Sequence, residues 1–366
     1  MLAHVSEERL AQDRGVAFGR AHAEAVHRTV TAYERLFREA KELDAPAIRS
    51  YGEGVLTQLG RAWPEAAEEI TAIAIGAGVD EATLTAINAR TELLAGATPP
   101  ECSTIGVLPQ RSGDGTLLAQ NWDWHPDLAH SLVVWTVVEP DGGWSSTMTE
   151  AGILAKIGLN SRGLGLCLNI LGTSLDGGTG GTPVHVLMRL ILQRCDDVAS
   201  VEALLETSEL TASSCLTVGS PAGGDGMLAS YELSPAGIGR VAPEDGVLVH
   251  TNHFLQLPKG AEDLYLRDWP DTLARLEELD ERLRRGRRHV DADAVKQALR
   301  SHRAGLIAVC CHDPANERYT DRQESLASAC LHLDELRFEL SHGPPCRTPY
   351  ERVGGLGGRL PAPSSG

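Results

Sequence analysis

The chain has 366 residues and carries 50 acidic side chains against 33 lysines and arginines, a formal net charge of -17 at pH 7. This acidic balance argues against nucleic acids and anionic membrane surfaces as partners, because both require a basic face. No run approaches the roughly 20 apolar residues of a membrane span, and we recognise no signal peptide. The eight scattered cysteines include no C-x-x-C pair, so we expect reduced thiols in the cytoplasm and no structural zinc site.

The first part of the chain, residues 6–95, has the periodicity of amphipathic helices. Apolar side chains between Val16 and Phe37 recur every three or four residues and define one face. A second helix is predicted to begin near Pro64, which suits a first helical turn, and Asp80 is expected to cap a third. These patterns predict a helical segment over residues 1–101.

After residue 101 the pattern becomes one of short strands separated by turn residues. This spacing predicts an antiparallel meander, interrupted by two helices and followed by a charged helical stretch. The order of elements favours an α+β architecture of layered sheets with helices outside. The Gly- and Pro-rich tail, residues 354–366, is expected to be disordered. The predicted strands cover 116–121, 131–139, 144–149, 153–159, 164–170, 215–219, 227–233, 237–241, 247–251, 325–333 and 336–341, and the later predicted helices cover 184–194, 198–206, 269–285 and 293–300.

Cys102 stands at the boundary between the two patterns, directly after the breaker Thr98-Pro99-Pro100-Glu101. A thiol attacks a carbonyl as the thiolate, so it needs a base, and the oxyanion that forms needs hydrogen-bond donors. Cleavage of the Glu101–Cys102 bond would give Cys102 a free α-amine with a pKa of about 7.7–8.0, a suitable general base at neutral pH. One residue would then supply both nucleophile and base, with no histidine required.

Three polar residues beside predicted strands are candidates for supporting roles. Asp123 lies in a polar cluster between two tryptophans, Asn252 closes an apolar strand, and Arg322 precedes another strand. A carboxylate could position the thiol or the ammonium, an amide could donate to an oxyanion, and an arginine could fix the carboxylate. Alternatively, Asp123 is a turn residue, Asn252 is a loop cap and Arg322 is a surface charge. Spacing alone does not distinguish these structural roles from the functional ones.

Several motifs occur in order along most of residues 15–340. They are Trp63-Pro64-Glu65, Asn88-Ala89-Arg90-Thr91-Glu92-Leu93, Cys102-Ser103-Thr104, Gln120-Asn121-Trp122-Asp123, Thr149-Glu150-Ala151-Gly152-Ile153, Gly158-Leu159-Asn160-Ser161 with Gly163, Val249-His250-Thr251-Asn252-His253, and the region of Arg322. Together they resemble the acyl-coenzyme A:isopenicillin N acyltransferase family, the C45 peptidase-like amidohydrolases within the N-terminal nucleophile hydrolases. The chain departs from the family at Glu101, where the fungal acyltransferase and insect amidohydrolase relatives commonly have glycine. Its loop around residues 110–115 is also slightly longer than the corresponding loop of the fungal acyltransferase.

The resemblance implies a four-layer αββα sandwich with a helical N-terminal segment, matured by self-cleavage between Glu101 and Cys102. In that reaction Cys102 attacks the carbonyl of Glu101 and forms a thioester, which water then opens. Residues 1–101 would remain as a small subunit, and residues 102–353 would form the catalytic subunit.

The resemblance also implies a role for each candidate residue. Cys102 would be the nucleophile and, through its new amine, the base. Asp123 and Arg322 would support it, and Asn252 would help to form the oxyanion hole. Such an enzyme needs no cofactor and no metal, and its substrate would be a small-molecule amide or acyl thioester. We expect amide hydrolysis as the main activity, with acyl transfer to an amine as the alternative.

Three other interpretations compete with this one. A second cysteine site at Cys311-His312-Asp313 is disfavoured because adjacent residues in a strand point away from one another. A metal site through His250 and His253 is disfavoured because that segment is predicted to be a strand and lacks an acidic third ligand. The last alternative is a binding protein that keeps the fold without processing.

Overall fold

The computed structural model describes residues 1–99, 101–177, 180–221, 224–285, 287–303, 305 and 307–355, with the main chain alone at Glu101. The strands of this part are β1 Leu2–Ser6, β2 Glu101–Val107, β3 Leu117–Trp124, β4 Leu132–Val138, β5 Trp144–Glu150, β6 Ile157–Asn160, β7 Gly165–Ile170, β8 Ser214–Ser220, β9 Met227–Ser234, β10 Gly237–Val241, β11 Val247–His250, β12 His312–Asp313, β13 Gln323–His332, β14 Arg337–His342 and β15 Glu351–Val353. Its α-helices are α1 Ala11–Ala21, α2 Ala23–Lys41, α3 Ala45–Ala62, α4 Pro64–Ala77, α5 Glu81–Asn88, α6 Arg90–Leu94, α7 Pro109–Ser112, α8 Val184–Arg194, α9 Val198–Glu206, α10 Leu264–Asp268, α11 Asp271–Asp280 and α12 Ala292–Leu299. None of the described helices has the length and apolar character needed to cross a membrane. Residues 356–366 of the tail expected to be disordered lie outside the described residues.

The strands form two sheets. The first has the order β1-β4-β5-β6-β7-β8-β9-β10, and the second has the order β11-β2-β3-β13-β14-β15, with β12 paired to β13. From β4 to β10 each strand pairs antiparallel with its neighbour in the chain, so the predicted meander is confirmed. The second sheet instead collects strands that are distant in sequence, and it places β2 between β3 and β11.

The sheets pack face to face, and helices cover both outer faces. α8 and α9 contact the first sheet, while α11 and α12 contact the second. Because both faces of β3 are covered, its side chains alternate between two cores. Leu118 packs between the sheets, whereas Leu117 and Ala119 share a core with Val295 of α12. This is the α+β, four-layer αββα sandwich expected from the sequence.

The helical N-terminal segment is confirmed over most of its length, but the chain begins with a strand. β1 runs parallel to β4 at the edge of the first sheet, with Leu2 opposite Val133. The strand has only five residues, and Leu2 and Val5 are 37% and 40% exposed. A segment this short with exposed apolar side chains carries no clear alternation, so its sequence did not predict it.

Small residues let α1 lie very close to α4. A Cβ added at Gly19 would come 2.3 Å from the carbonyl oxygen of Ile73, so only glycine fits at this crossing. The preceding residue, Phe18, stacks on Trp135 of β4, with ring centroids 4.1 Å apart. The N-terminal helices therefore pack directly on the first sheet.

A buried ion pair network joins the N-terminal helices to the rest of the chain. Glu69 on α4 accepts bonds from Arg14 on α1 and from Arg189 on α8, each at 2.6 Å. All three side chains are buried. Burial opposes ionisation of Glu69, but the charge of Arg189 and the bond from Arg14 outweigh it and lower the pKa of the carboxyl group.

The strand predicted over 153–159 begins only at Ile157, and contacts with helices explain the difference. The backbone N–H of Leu154 donates to Asn88 Oδ1 at 3.0 Å, and the Asn88 amide donates to the carbonyl of Gly152 at 2.8 Å. His185 donates to the carbonyl of Ala155 at 3.0 Å. Side chains thus use the main-chain groups that a strand would pair.

Glu69→Gln should destabilise the protein by about 3–5 kcal/mol, because it leaves two buried guanidinium groups without a carboxylate. Glu65→Gln on the same helix is the matched control. Glu65 pairs with Arg194 at 3.4 Å in an exposed position, so its loss should change the free energy of unfolding by at most about 1 kcal/mol. Urea unfolding of both variants measures the difference, and equal effects would contradict the network described above.

Candidate active site at Cys102

β2 holds Cys102 near its N-terminal end, in the interior of the second sheet. Cys102 lies opposite Trp122 of β3 and is only 4% exposed. On the other side, β11 ends at His250, which lies opposite Thr104. Continuing that antiparallel register places Asn252 opposite Cys102, just beyond the end of β11.

Asn252 holds the main-chain nitrogen of Cys102. The Cys102 N–H donates to Asn252 Oδ1 at 2.8 Å, and both terminal nitrogens of Arg275 donate to the same oxygen at 3.2 Å. The Asn252 amide donates to the carbonyl of Ile170 at 2.9 Å, so its orientation is fixed at both ends. The backbone N–H of Asn252 donates to Thr272 Oγ1 at 2.8 Å, which ties this loop to α11.

Arg275 and Asn169 hold the carbonyl of Cys102. Arg275 on α11 is fully buried, and its Nη1 donates to this oxygen at 2.9 Å while its Nε lies 3.4 Å from the carboxylate of Asp271. Asn169 on β7 donates to the same carbonyl at 3.1 Å from the opposite sheet. The side chains of Asn252, Arg275 and Asn169 therefore hydrogen-bond the N–H and C=O groups of Cys102. They take the place of the strand partner that a longer β11 would supply.

The thiol of Cys102 is strongly biased toward its neutral form. Burial raises its pKa to about 12, and the carboxylate of Asp123 adds to the rise. A hydrogen bond from the backbone N–H of Asp123 and the charges of Arg275 and Lys156 offset only part of this effect. At neutral pH the thiol is therefore protonated, so it must give up its proton as it attacks a carbonyl.

Asp123 is tied to a neighbouring strand by its side chain. Its Oδ1 accepts a hydrogen bond from Ser325 Oγ on β13 at 2.5 Å. Ser325 Oγ in turn accepts from the backbone N–H of Cys311 at 2.9 Å. The structure thus brings together three of the predicted site residues, Cys102, Asp123 and Asn252.

A buried cation that the sequence analysis did not select lies behind Trp122. Lys156 Nζ is 4.3 Å from the centre of the Trp122 ring and forms an ion pair with Glu150. Glu150 also accepts from Tyr33 at 2.5 Å and lies 4.0 Å from the guanidinium of Arg90. Burial and the charge of Arg90 lower the pKa of Lys156 to about 7, although Glu150 opposes them. Tyr33 and Arg90 belong to the N-terminal helices, which therefore contribute to the surroundings of the site.

A small cavity lies beside this group. The residues that line it come from the chain both before and after residue 101, and most of their side chains are apolar or aromatic. One wall residue, Ile170, supplies the carbonyl that accepts from Asn252. The lining residues are Arg90, Thr91, Leu94, Thr98, Trp124, Ile170 and Tyr265.

The structure places the fourth predicted residue, Arg322, in different surroundings from Arg275. Arg322 Nε donates to the carbonyl of Asn316 at 3.0 Å, and its guanidinium lies 5.5 Å from the ring of Tyr319. The arginine that contacts Cys102 is Arg275. The sequence did not single it out, because one arginine in a charged helical stretch looks the same whether its side chain is buried or exposed. The supporting role of Arg322 stays a prediction.

The structure also shows the surroundings of the two competing sites, the histidine pair His250 and His253 and the run Cys311-His312-Asp313. His250 Nε2 lies 2.8 Å from the Glu232 carboxylate, whereas His253 Nδ1 lies 3.0 Å from Thr272 Oγ1, so the two rings have different partners. The ring of His312 lies 3.4 Å from the Sγ atom of Cys310, which precedes β12.

Comparison with known proteins now decides the family. Residues 110–345 match the model of the family described as acyl-coenzyme A:6-aminopenicillanic acid acyl-transferase. The chain belongs to this acyl-transferase family. The matched part includes Asp123, Asn252, Arg275 and Arg322 but begins after Cys102, so it does not test the predicted nucleophile.

The chain is also similar to individual proteins. One is the acyl-coenzyme A:6-aminopenicillanic-acid-acyltransferase 40 kDa form of Emericella nidulans, with 31% identity over 217 residues; the aligned part spans 58% of this chain and 58% of that relative. Among solved structures, a Caenorhabditis elegans ortholog of N-acylethanolamine-hydrolyzing acid amidase has 13% identity and a TM-score of 0.45, covering 69% of this chain and 100% of its own. Penicillin V acylase from Agrobacterium tumefaciens has 12% identity and a TM-score of 0.42, covering 66% and 83%. At TM-scores below 0.5 these structural likenesses carry no information on the chemistry of this member of the acyl-transferase family.

Arg275→Lys should slow any reaction at Cys102 by about 10–100-fold, because lysine lacks the planar fork that reaches both Asn252 and the Cys102 carbonyl. Release of acid or amine from a substrate panel, together with circular dichroism for folding, measures the effect. Arg267→Lys, an exposed arginine on α10, is the control and should retain full activity.

Arg322→Lys in the same assays compares the two arginines directly. A loss confined to Arg275→Lys would establish Arg275 as the residue that positions Cys102. A larger loss for Arg322→Lys would instead support the role predicted from the family resemblance and contradict our assignment.

Proposed function

We propose that this protein cuts itself between Glu101 and Cys102 and then uses Cys102 to form a thioester with the acyl group of a small-molecule amide. The observation that carries the proposal is the contact between the Cys102 nitrogen and Asn252 Oδ1 at 2.8 Å. Cleavage would turn that nitrogen into an α-amine, already held beside a thiol that needs a base.

Self-cleavage begins with attack of the Cys102 thiol on the carbonyl carbon of Glu101. The sulfur–carbon bond forms, the thiol proton passes to the departing nitrogen, and the Glu101–Cys102 peptide bond breaks. The product is a thioester between Glu101 and Cys102 with a free amine on Cys102. Water then adds to the thioester carbonyl and releases the thiol and the Glu101 carboxylate.

Turnover of a substrate repeats the same chemistry. The α-amine of Cys102 takes the thiol proton as the sulfur attacks the substrate carbonyl, and it returns a proton to the departing amine. Asn252 Oδ1 keeps the amine in place, while Arg275 fixes Asn252. In the intact chain the Asn252 amide donates to Ile170, so its predicted role in the oxyanion hole requires exchange of that bond for the substrate oxygen.

The acyl-enzyme can be resolved in two ways. Water gives hydrolysis, which we propose as the main activity, whereas an amine acceptor gives acyl transfer. Transfer is the second candidate, and the match to the acyl-transferase family favours it. In neither case does the proposed chemistry require a cofactor, and the substrate would be a small amide or an acyl thioester.

We further propose that residues 1–101 stay bound after cleavage as a small subunit. Buried contacts support this: Glu69 binds Arg189, Asn88 binds the segment at Leu154, and Tyr33 binds Glu150.

All eight cysteines are free thiols, which supports our proposal of a reducing, cytoplasmic location.

Purified protein should separate under denaturing conditions into fragments of ~11 and ~28 kDa, scaled by residue count from 39.1 kDa, with the larger fragment beginning at Cys102. Cys102→Ala should abolish both cleavage and turnover, since it removes the only atom proposed to attack. Cys102→Ser should greatly impair turnover. Intact mass and N-terminal sequencing measure cleavage.

The control is Cys195→Ala, which removes another buried thiol at the end of α8 and should leave cleavage and turnover intact. Full activity of Cys102→Ala would show that Cys102 is not the nucleophile. An uncut chain without activity on any acyl substrate would support the alternative of a binding protein.

The pH profile of kcat/KM should identify the base. If the α-amine accepts the thiol proton, activity should be low at acid pH and rise to a plateau through a pKa at or below about 8, because the amine must be unprotonated. The nearby positive charge of Arg275 should lower the pKa of the α-amine further. A profile that continues to climb above pH 9 toward the pKa of the thiol, about 12, would contradict the α-amine as base.

A further inference from the structure

Four side chains outside the candidate active site converge on one point. His312 Nε2 lies 3.1 Å from His302 Nε2, 3.4 Å from Cys310 Sγ and 3.2 Å from Cys346 Sγ. All four ligand atoms lie within 4.8 Å of one another. One imidazole nitrogen has either a single proton or a single lone pair, so it cannot satisfy three neighbours at once.

The three distances to His312 Nε2, 3.1–3.4 Å, are at or slightly below those expected between the ligand atoms of a tetrahedral metal site. With metal–sulfur bonds of about 2.3 Å and metal–nitrogen bonds of about 2.0–2.1 Å, tetrahedral geometry separates the ligand atoms by about 3.3–3.8 Å. The set contains two thiols and two imidazoles, and it offers no carboxylate in the first shell. Two sulfur and two nitrogen ligands in tetrahedral arrangement are typical of structural zinc.

Hydrogen bonds hold the segments that carry the ligands. The backbone N–H of Cys310 donates to the carbonyl of Ser301 at 3.0 Å, which places Cys310 beside the end of α12. Arg300 Nε donates to the carbonyl of Pro345 at 2.9 Å, next to Cys346. Two loops distant in sequence are thus fixed to the same helix end.

The surroundings of His312 suit a metal-bound imidazole. His312 pairs with Glu324 across β12 and β13, and the Glu324 carboxylate lies 3.9 Å from Nδ1, the ring nitrogen that faces away from the cluster. A carboxylate on the far nitrogen commonly orients a zinc-bound histidine. At 3.9 Å Glu324 does not hydrogen-bond Nδ1, so its side chain would have to move closer to take this role.

A second group of potential ligands, Cys330, His332 and Glu339, is already paired with cations. Lys296 and Arg337 bind the Glu339 carboxylate, and Arg337 also contacts His332 Nδ1 at 2.8 Å. Bringing a metal cation here would require displacement of two positive charges. The charge of Arg347, next to Cys346, also acts on His312 and Glu324. Among the described contacts, however, this guanidinium forms no hydrogen bond or ion pair with the four proposed ligands.

We propose that His302, Cys310, His312 and Cys346 bind one structural Zn²⁺ ion. Binding replaces the proton on each of the two thiols, and two protons pass to solvent. The absence of a C-x-x-C pair predicts no structural zinc site, whereas these ligands come from separate segments of the chain.

The site would stabilise the wall behind the candidate active site. Cys311, between two of the ligands, donates its backbone N–H to Ser325, and Ser325 donates to Asp123. Fixing residues 310–312 on β13 thereby fixes the partner of Asp123. The zinc proposal stands apart from the proposed function, because its ligands take no part in the reaction.

Zinc measured by mass spectrometry on full-length protein, with any affinity tag removed, should amount to about one ion per chain. Cys346→Ser and His302→Gln, which alter partly or fully exposed positions, should each lose most of it. Cys330→Ala is the matched control and should keep its zinc. Cys102→Ala should also keep it, which separates this site from the candidate active site.

Two further measurements extend the test. Cobalt in place of zinc should give the intense visible bands of tetrahedral thiolate coordination, and Cys346→Ser should weaken them. Glu324→Gln should weaken zinc binding by about 10–100-fold. Folded protein without zinc after growth in zinc-supplemented medium, or with a disulfide between Cys310 and Cys346, would overturn the proposal.

Discussion

The site depends on the early end of one strand. β11 stops at His250, so the polar main-chain groups of Cys102 on that side have no strand to pair with, and side chains take over. Asn252 receives the nitrogen, while Arg275 and Asn169 donate to the carbonyl oxygen. These bonds come from three different elements, and none of them involves the residue that precedes Cys102. The proposed self-cleavage needs a residue of this kind, one that keeps its place when its N-terminal peptide bond is lost.

The interior of this acidic protein is rich in buried cations. Arg275, Lys156 and Arg90 all lie within the layers around Cys102, and each has a carboxylate nearby. Burying a charge is costly unless it is paired and hydrogen-bonded, so such groups are rarely retained for stability alone. Here Arg275 and Lys156 act against the burial that keeps the Cys102 thiol neutral. The balance still leaves the pKa of the thiol raised to about 12.

The sequence predicted the layers and the meander well, because hydrophobic period and turn residues are local properties. It failed where long-range contacts decide the outcome. The first strand, Leu2–Ser6, is recognisable only through its pairing with β4. The late start of β6 follows from the contacts of Asn88 with residues 152–154.

The residues of the candidate site also differ in whether local sequence identifies them. Cys102, Asp123 and Asn252 stand at boundaries between elements, where a polar residue after an apolar run is informative. Arg275 lies within a helix, so nothing local distinguishes it from its exposed neighbours. The cluster at His312 joins residues from 302 to 346, and no spacing rule connects them.

The parallel pairing of β1 with β4 has a consequence for aggregation of the protein. An uncovered edge strand offers free N–H and C=O groups to other chains and promotes aggregation. Residues 2–6 cover β4 in this way, and they belong to the part of the chain that precedes Cys102. If that part were removed, the first sheet would present an open edge of almost wholly buried, apolar residues. Pairing with β1 moves the edge of the sheet from β4 to a strand of only five residues, and a short edge strand is a poorer template for aggregation.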